Sequence, residues 1–211
     1  MLKEIKLSEG FMQKLVEAQF NAVEVRSWVR SYITWLIDSK FRTYKRLDSF
    51  LKEQLDNPSK ELRSCVKEIK GKNSPNYDEL IINILKFVKG IIVYQDDVIT
   101  YGTEEYWATA GNVLKQGRDD CDGINSLIYL IARECNIPSY LIWCCIGEAG
   151  GVGHLWTLYY SLEKRKLYAI DGTYNIDLNP INLRIPFVLS NTRYQKIWYI
   201  FNENFIYKLR G

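Results

Sequence analysis

Apolar positions recur along this chain at two different spacings, and the change falls a little past its middle. From about position 7 to 43 there is no proline, and Trp28, Tyr32, Trp35 and Leu36 follow i, i+4, i+7, i+8, the spacing of one helix face. Ser8 with Glu9 marks a helix start. Helical patterns continue over about 44–55 and 60–70, until "GKNSPNYDE" interrupts with glycine, asparagine and proline. Asp78 can open the next helix, with Leu80, Ile81, Ile84, Leu85 and Val88 on its apolar side, and "VYQDDVITYGTEEYW" then reads as irregular. Further on, Ile124, Leu127, Ile128, Ile131 and Cys135 fall at i, i+3, i+4, i+7, i+11, a helix with a buried face that Asn136 and Pro138 stop. Beyond it "SYLIWCCI", "HLWTLYYS", "KLYAIDGT", "KIWYIF" and "FIYKL" are β-branched and aromatic, the signature of strands. Helices followed by an antiparallel sheet predict an α+β fold.

Composition narrows the function classes. With 211 residues, 47% of them hydrophobic, the chain can fill a substantial core. Lys+Arg number 28 against 25 Asp+Glu, and the charges are interspersed rather than gathered into a basic arm, so a nucleic-acid partner is not expected. No apolar run has the length of a membrane span and "MLKEIKLSEG" lacks the apolar middle of a secretory signal, which makes a cytoplasmic location the expectation. Five cysteines, at 65, 121, 135, 144 and 145, are an odd number in a chain too large to need stapling, so reduced thiols are the default.

One of those thiols sits in "RDDCDGIN", where the buried-face helix begins. A helix N-terminus favours a thiolate, because unpaired N–H groups and the dipole point toward it. Asp119, Asp120 and Asp122 oppose that effect unless one caps the helix, so Cys121 needs a basic partner. The chain has one histidine, His154, which opens an alternating segment, and Asp171 ends the next strand. A four-residue hairpin loop, "LEKR", sets Ser161 opposite Lys166 and Asp171 diagonally across from His154; a two-residue loop pairs His154 with Asp171 directly. An odd-length loop without a bulge puts the two on opposite faces. Imidazole that takes a thiol proton, steadied by a carboxylate, is what nucleophilic cysteine catalysis requires.

"DDCDG", "CNIPSYLIWC", "GHLWTLYY" and "LYAIDGTY", in this order, resemble the transglutaminase-like superfamily, including its bacterial cysteine proteinases. The resemblance covers roughly positions 77 to 175, since "FVKGIIVYQDD" and "YGTEEYW" also look like the family's segment before the cysteine. It implies a papain-like core, a catalytic helix packed on an antiparallel sheet, with Cys121 as nucleophile, His154 as general base and then acid, and Asp171 orienting it. With the helical patterns that precede it, the chain is expected to divide into an N-terminal helical region, 1–72, and a catalytic domain, 73–211, and the resemblance implies action without a cofactor on a peptide or protein substrate. Members hydrolyse or transfer acyl groups at peptide, isopeptide or other amide bonds. For the oxyanion the candidates are the backbone N–H of Cys121 and the side chains of Gln116 and Trp107. The sequence departs from the family pattern at Asp119-Asp120-Cys121 for the common Gly-Asp-Cys, at Asn136 for the glycine of the helix stop, and at Leu155 where a small residue often lies.

Plainer readings stand beside these. Cys121 and His154 alone would be ordinary structural residues, and Asp171 before "GT" an ordinary turn residue. Cys144 and Cys145 are adjacent on an apolar strand, face opposite ways and are expected in the core. A zinc site lacks any CxxC spacing, so no metal is expected. "GEAGGVGH" precedes a strand rather than a helix, which favours flexible access to His154 over a phosphate cradle. Trp28, Tyr32 and Trp35 read as a packing stripe and "EKRK" as a solvated hairpin tip. The rival function is a noncatalytic binding or structural module of the same fold, with the N-terminal helices as its surface for a partner protein.

Overall fold

The computed structural model describes residues 46–174 and 193–209 in full, together with the backbone of short strands at 22–24, 35–38, 41–44 and 185–186. The first three of those strands correct the helix expected over 7–43: β1 (Ala22–Glu24) and β2 (Trp35–Asp38) lie within it and β3 (Phe41–Tyr44) overlaps its end. β2 and β3 pair antiparallel with Asp38 opposite Phe41, whereas β1 finds its partner at the far end of the chain, where Ala22 faces Leu209. Backbone bonds to so distant a segment outweigh a local helical spacing, and no window of sequence contains them. The expected start at Ser8 and the stripe residues Trp28 and Tyr32 lie outside the described residues.

The next helices follow the predicted pattern. α1 (Leu47–Asp56), α2 (Lys60–Lys70) and α3 (Tyr77–Ile91) each turn an apolar face inward. Ser59 caps α2 by accepting from Leu62 N at 3.1 Å, and Asn76 caps α3 by accepting from Glu79 N at 2.8 Å. Leu47, Phe50, Leu51, Leu62, Val66 and Ile69 share one core cluster with Ile81, Leu85, Leu127 and Ile128, so side chains on both sides of position 72 pack together.

The stretch read as irregular contains β4 (Val93–Tyr94) and α4 (Asp97–Thr100), followed by α5 (Ala110–Gln116). β4 lies parallel to β5 (Arg118–Asp119), which leads straight into α6 (Cys121–Glu134). α6 is buried along its whole length from Asp122 to Ala132, not on one face alone, because the sheet covers one side while α1, α2, α3 and α5 pack against it elsewhere. Each Leu or Ile removed from water there contributes roughly 1.5–3 kcal/mol. Its end is a Schellman turn: Asn136 takes a left-handed φ of 68°, its N–H bonds Arg133 O at 2.9 Å, and Ile137 N bonds Ala132 O at 3.0 Å.

The sheet is formed by β6 (Ile142–Ala149), β7 (Val152–Ser161), β8 (Lys166–Ile170), β9 (Ile185–Pro186), β10 (Tyr194–Phe201) and β11 (Ile206–Leu209), with β1 at its edge. The order is β1-β11-β10-β6-β7-β8-β9 and every pairing is antiparallel. Gly150 and Gly151 make the β6–β7 turn with φ of 63° and 85°, conformations that side chains resist. Ser161 pairs with Lys166, which selects the four-residue loop between β7 and β8. Both faces of the sheet are buried: Leu155 and Tyr159 join the α6 core, while Trp156 and Leu158 join a second cluster with Trp143, Ile200 and Tyr207. Cys144 and Cys145 point into these two clusters, one each. The protein is thus α+β, a central helix packed on an antiparallel sheet.

Candidate active site

Cys121 is the first residue of α6, so its backbone N–H is among those with no intrahelical acceptor. Asp120 is the cap, with Oδ1 accepting from Asp122 N at 3.0 Å. Asp119 braces the approach: its Oδ1 accepts from Asp120 N at 2.9 Å and its Oδ2 from the Tyr101 hydroxyl at 2.7 Å. Gly123 makes room for it, since a Cβ there would come within 2.3 Å of Asp119 Cγ. Burial pushes the Cys121 thiol well up, and Asp120 and Asp122 push it further, against a hydrogen bond from the Leu155 backbone N–H that lowers it. Desolvation and acidic neighbours therefore outweigh the helix end.

His154 and Asp171 are buried and in contact, Nε2 to Oδ2 at 2.8 Å. With a carboxylate as acceptor, Nε2 is the ring nitrogen that donates in that bond. The other carboxylate oxygen, Oδ1, accepts from Thr173 N at 2.9 Å. The imidazole is walled by Trp156, stacked at 6.2 Å between centroids, and by Tyr174 at 5.0 Å. Direct hydrogen bonding thus joins His154 to Asp171, and the peptide after His154 meets the sulfur of Cys121.

Asn125, one turn after Cys121 and fully buried, ties these parts together. Its Nδ2 donates toward Cys121 O at 3.1 Å, Leu155 O at 2.8 Å, Thr173 Oγ1 at 3.1 Å and Asp171 Oδ1 at 3.3 Å, and its Oδ1 accepts from Gly172 N at 2.9 Å. Lys89 of α3 donates to Gly172 O at 3.1 Å and to Tyr174 O, holding the segment that follows Asp171. Sequence reasoning missed both. Asn125 had a signal, a polar residue between Ile124 and Leu127 on a buried helix; Lys89 had none, because its partners lie more than 80 positions away.

Trp107 and Gln116, the side-chain oxyanion candidates, differ in their surroundings. Trp107 packs in the core against Phe50 and Phe201, with centroids 5.7 and 6.5 Å away, and its single donor, the indole N–H, goes to Glu105 at 2.9 Å. Gln116 ends α5 with its side chain exposed.

Beside the thiol lies a cluster that sequence spacing did not reveal. Asp97, Asp119, Asp120 and Asp122 each offer an oxygen within 4.8 Å of the others. Burial, with Asp120 next in effect, pushes Asp97 up to about 8, and burial pushes Asp119 up to about 6 and Asp122 well above the usual carboxylate range. Asp97 Oδ1 and Asp122 Oδ2 are buried without a hydrogen-bond partner. Four carboxylates with two orphaned oxygens suit a hard divalent cation, which takes oxygen ligands; the Cys121 sulfur also lies within 4.8 Å of oxygens of Asp120 and Asp122.

A helix-borne thiol set beside a sheet-borne imidazole–carboxylate pair, on an α+β core, is the class of arrangement this molecule presents. No protein-family model matches the chain, and no curated protein matches it by sequence. Among solved structures it is similar to Legionella pneumophila LapG, with TM-score 0.53 and 14% identity over 84% of this chain and 91% of that one. The calcium-bound form of the same protein gives TM-score 0.54 and 13% identity over 78% of this chain and 90% of that one. A TGase is matched more distantly, at TM-score 0.44 and 15% identity over 79% of this chain and 39% of that one. The likeness to LapG shows a shared fold. Among the described residues no helix is long and apolar enough to cross a membrane.

Proposed function

We propose that the protein is a transglutaminase-like cysteine hydrolase, a peptidase or amidase acting through Cys121, His154 and Asp171. The observation that carries this reading is the buried His154–Asp171 bond of 2.8 Å beside a thiol at the head of α6. The imidazole takes the Cys121 proton at Nδ1 while Asp171 stabilises the imidazolium. The thiolate, favoured by the Leu155 N–H, adds to an amide carbonyl, and the tetrahedral oxyanion meets the backbone N–H of Cys121 at the head of α6. The C–N bond breaks as the imidazolium returns its proton to the leaving amine, giving a thioester. Water then yields the acid, or an amine yields a new amide, with the thiol restored in either case.

Iodoacetamide alkylation followed by peptide mass spectrometry tests the reading, with half-buried Cys65 as internal reference. Labelling of Cys121 is expected to slow in His154→Ala, while that of Cys65 stays the same. Equal, slow labelling of Cys121 in both proteins would overturn the assignment and favour a noncatalytic module. With a substrate in hand, Cys121→Ala abolishes turnover and leaves thermal stability nearly unchanged.

A second reading rests on the orphaned oxygens of Asp97 and Asp122: the four-aspartate cluster holds a divalent cation, as LapG occurs in a calcium-bound form. Such an ion supplies positive charge where Asp120 and Asp122 otherwise raise the thiol. Titration calorimetry and thermal melts with calcium or magnesium test it. Heat of binding and a raised melting temperature, both lost in Asp122→Asn, are expected; no change at millimolar ion sinks the reading.

A further inference from the structure

Tyr194 reaches the His154–Asp171 pair from β10, and nothing in the preceding chemistry uses it. It is 1% exposed, and its hydroxyl donates to Asp171 Oδ2 at 3.1 Å. That is the oxygen His154 Nε2 holds at 2.8 Å, so two donors share one acceptor. Asp171 Oδ1 is occupied separately by Thr173 N and Asn125 Nδ2. A second donor withdraws charge from the shared oxygen and weakens the first bond to it.

We propose that Tyr194 is a positioning residue that sets the strength of the His154–Asp171 hydrogen bond, and through it the pull of the imidazole on the Cys121 proton. The inference rests on the reading of His154 as the base for Cys121. Ring and hydroxyl have separable parts in this. The Tyr194 ring packs on Trp156 with centroids 4.9 Å apart, and Trp156 stacks on His154, so the ring is a wall. The hydroxyl alone reaches the carboxylate. Burial and the nearby Asp171 push the phenol far up, which keeps it a proton donor. The other charged or titratable groups around the pair come from several elements. Lys89 of α3 lies near Asp171, Arg193 covers the Tyr174 ring at 4.4 Å, and Cys121 with Asp120 and Asp122 lies at the head of α6.

The chain has one histidine, so its imidazole proton is a single resonance free of overlap from other histidines. In Tyr194→Phe the Nε2–H proton of His154 is expected to move downfield, as Asp171 Oδ2 gives itself wholly to the imidazole. Iodoacetamide alkylation of Cys121 at the same pH is expected to quicken about two- to fivefold, the share of one net hydrogen bond. A resonance that stays put or moves upfield, or an unchanged alkylation rate, overturns the proposal. Incorporating 3-fluorotyrosine at position 194 keeps the ring and strengthens the donor; it must shift the proton upfield and slow alkylation, and it decides the matter even if the phenylalanine variant fails to fold. Failure of the hydrolase reading looks different: wild type and His154→Ala then label Cys121 alike, whatever the resonance does in the Tyr194 variants.

Discussion

Replacing Asn125 tests the architecture at its most connected point. In Asn125→Ala the buried N–H of Gly172 loses an acceptor at 2.9 Å and the Leu155 carbonyl loses a donor at 2.8 Å. An N–H stranded in the interior costs about 1–3 kcal/mol, and the lost bond to Leu155 adds about 0.5–1.5 kcal/mol. The sum, about 1.5–4.5 kcal/mol, corresponds to a fall in melting temperature of roughly 3–18 °C for a chain of this size. Asn125→Asp is the informative companion. It preserves shape but turns a donor that serves Leu155 O, Cys121 O and Asp171 Oδ1 into an acceptor facing acceptors. At pH 8 it is expected to be less stable than Asn125→Ala, with the gap narrowing in acid as the new carboxyl gains a proton. Urea denaturation at two pH values reads both changes, and Cys121 alkylation should slow in each variant. A loss under about 1 kcal/mol in Asn125→Ala, or an aspartate variant as stable as wild type at pH 8, would show that these bonds do not hold the site together.

Two more outcomes follow from close packing and from protonation. A Cβ at Gly172 would meet Ile124 Cγ2 at 2.5 Å and Ile128 Cδ1 at 2.8 Å, so Gly172→Ala is expected to cost about 1–3 kcal/mol by overpacking and to slow Cys121 alkylation by displacing Asp171; an unchanged melt and alkylation rate would refute the contact. Asp97 and Asp119 hold their protons up to about 8 and about 6 in the folded chain, whereas unfolded aspartates ionise near ~4, so the folded state binds more protons across that window and loses stability as pH rises through it. Melts in metal-free buffer should therefore fall from pH 5 to 8 and level off above, and Asp97→Asn should flatten the upper part of the slope; an identical slope in that variant would contradict the assignment.

How much of this was legible beforehand differs from element to element. α2 and α6 were readable because their apolar spacing, caps and stops are local, and Asn136 ends α6 as its position before Pro138 suggested. The even-length β7–β8 loop that keeps His154 and Asp171 on one face was among the alternatives that alternation allowed, and the four-residue form is the one present. The strands at 22–24, 35–38 and 41–44 were misread as helix, since a helical spacing of aromatic residues does not exclude pairing and the partner of β1 is β11.

By itself the sequence determined the two periodicities, the helix head that carries Cys121, the single histidine on a strand, and a carboxylate at the end of the next. Those are properties of neighbours in the chain, fixed by side-chain chemistry and backbone geometry over a few residues. Tertiary structure alone decided that α6 is buried on all sides, that Asp97 joins three aspartates from beyond α5, and that Lys89, Asn125 and Tyr194 converge on the segment around Asp171. Each of those depends on desolvation and on hydrogen bonds between segments distant in sequence, and such terms take a value only when the fold brings the partners together and excludes water.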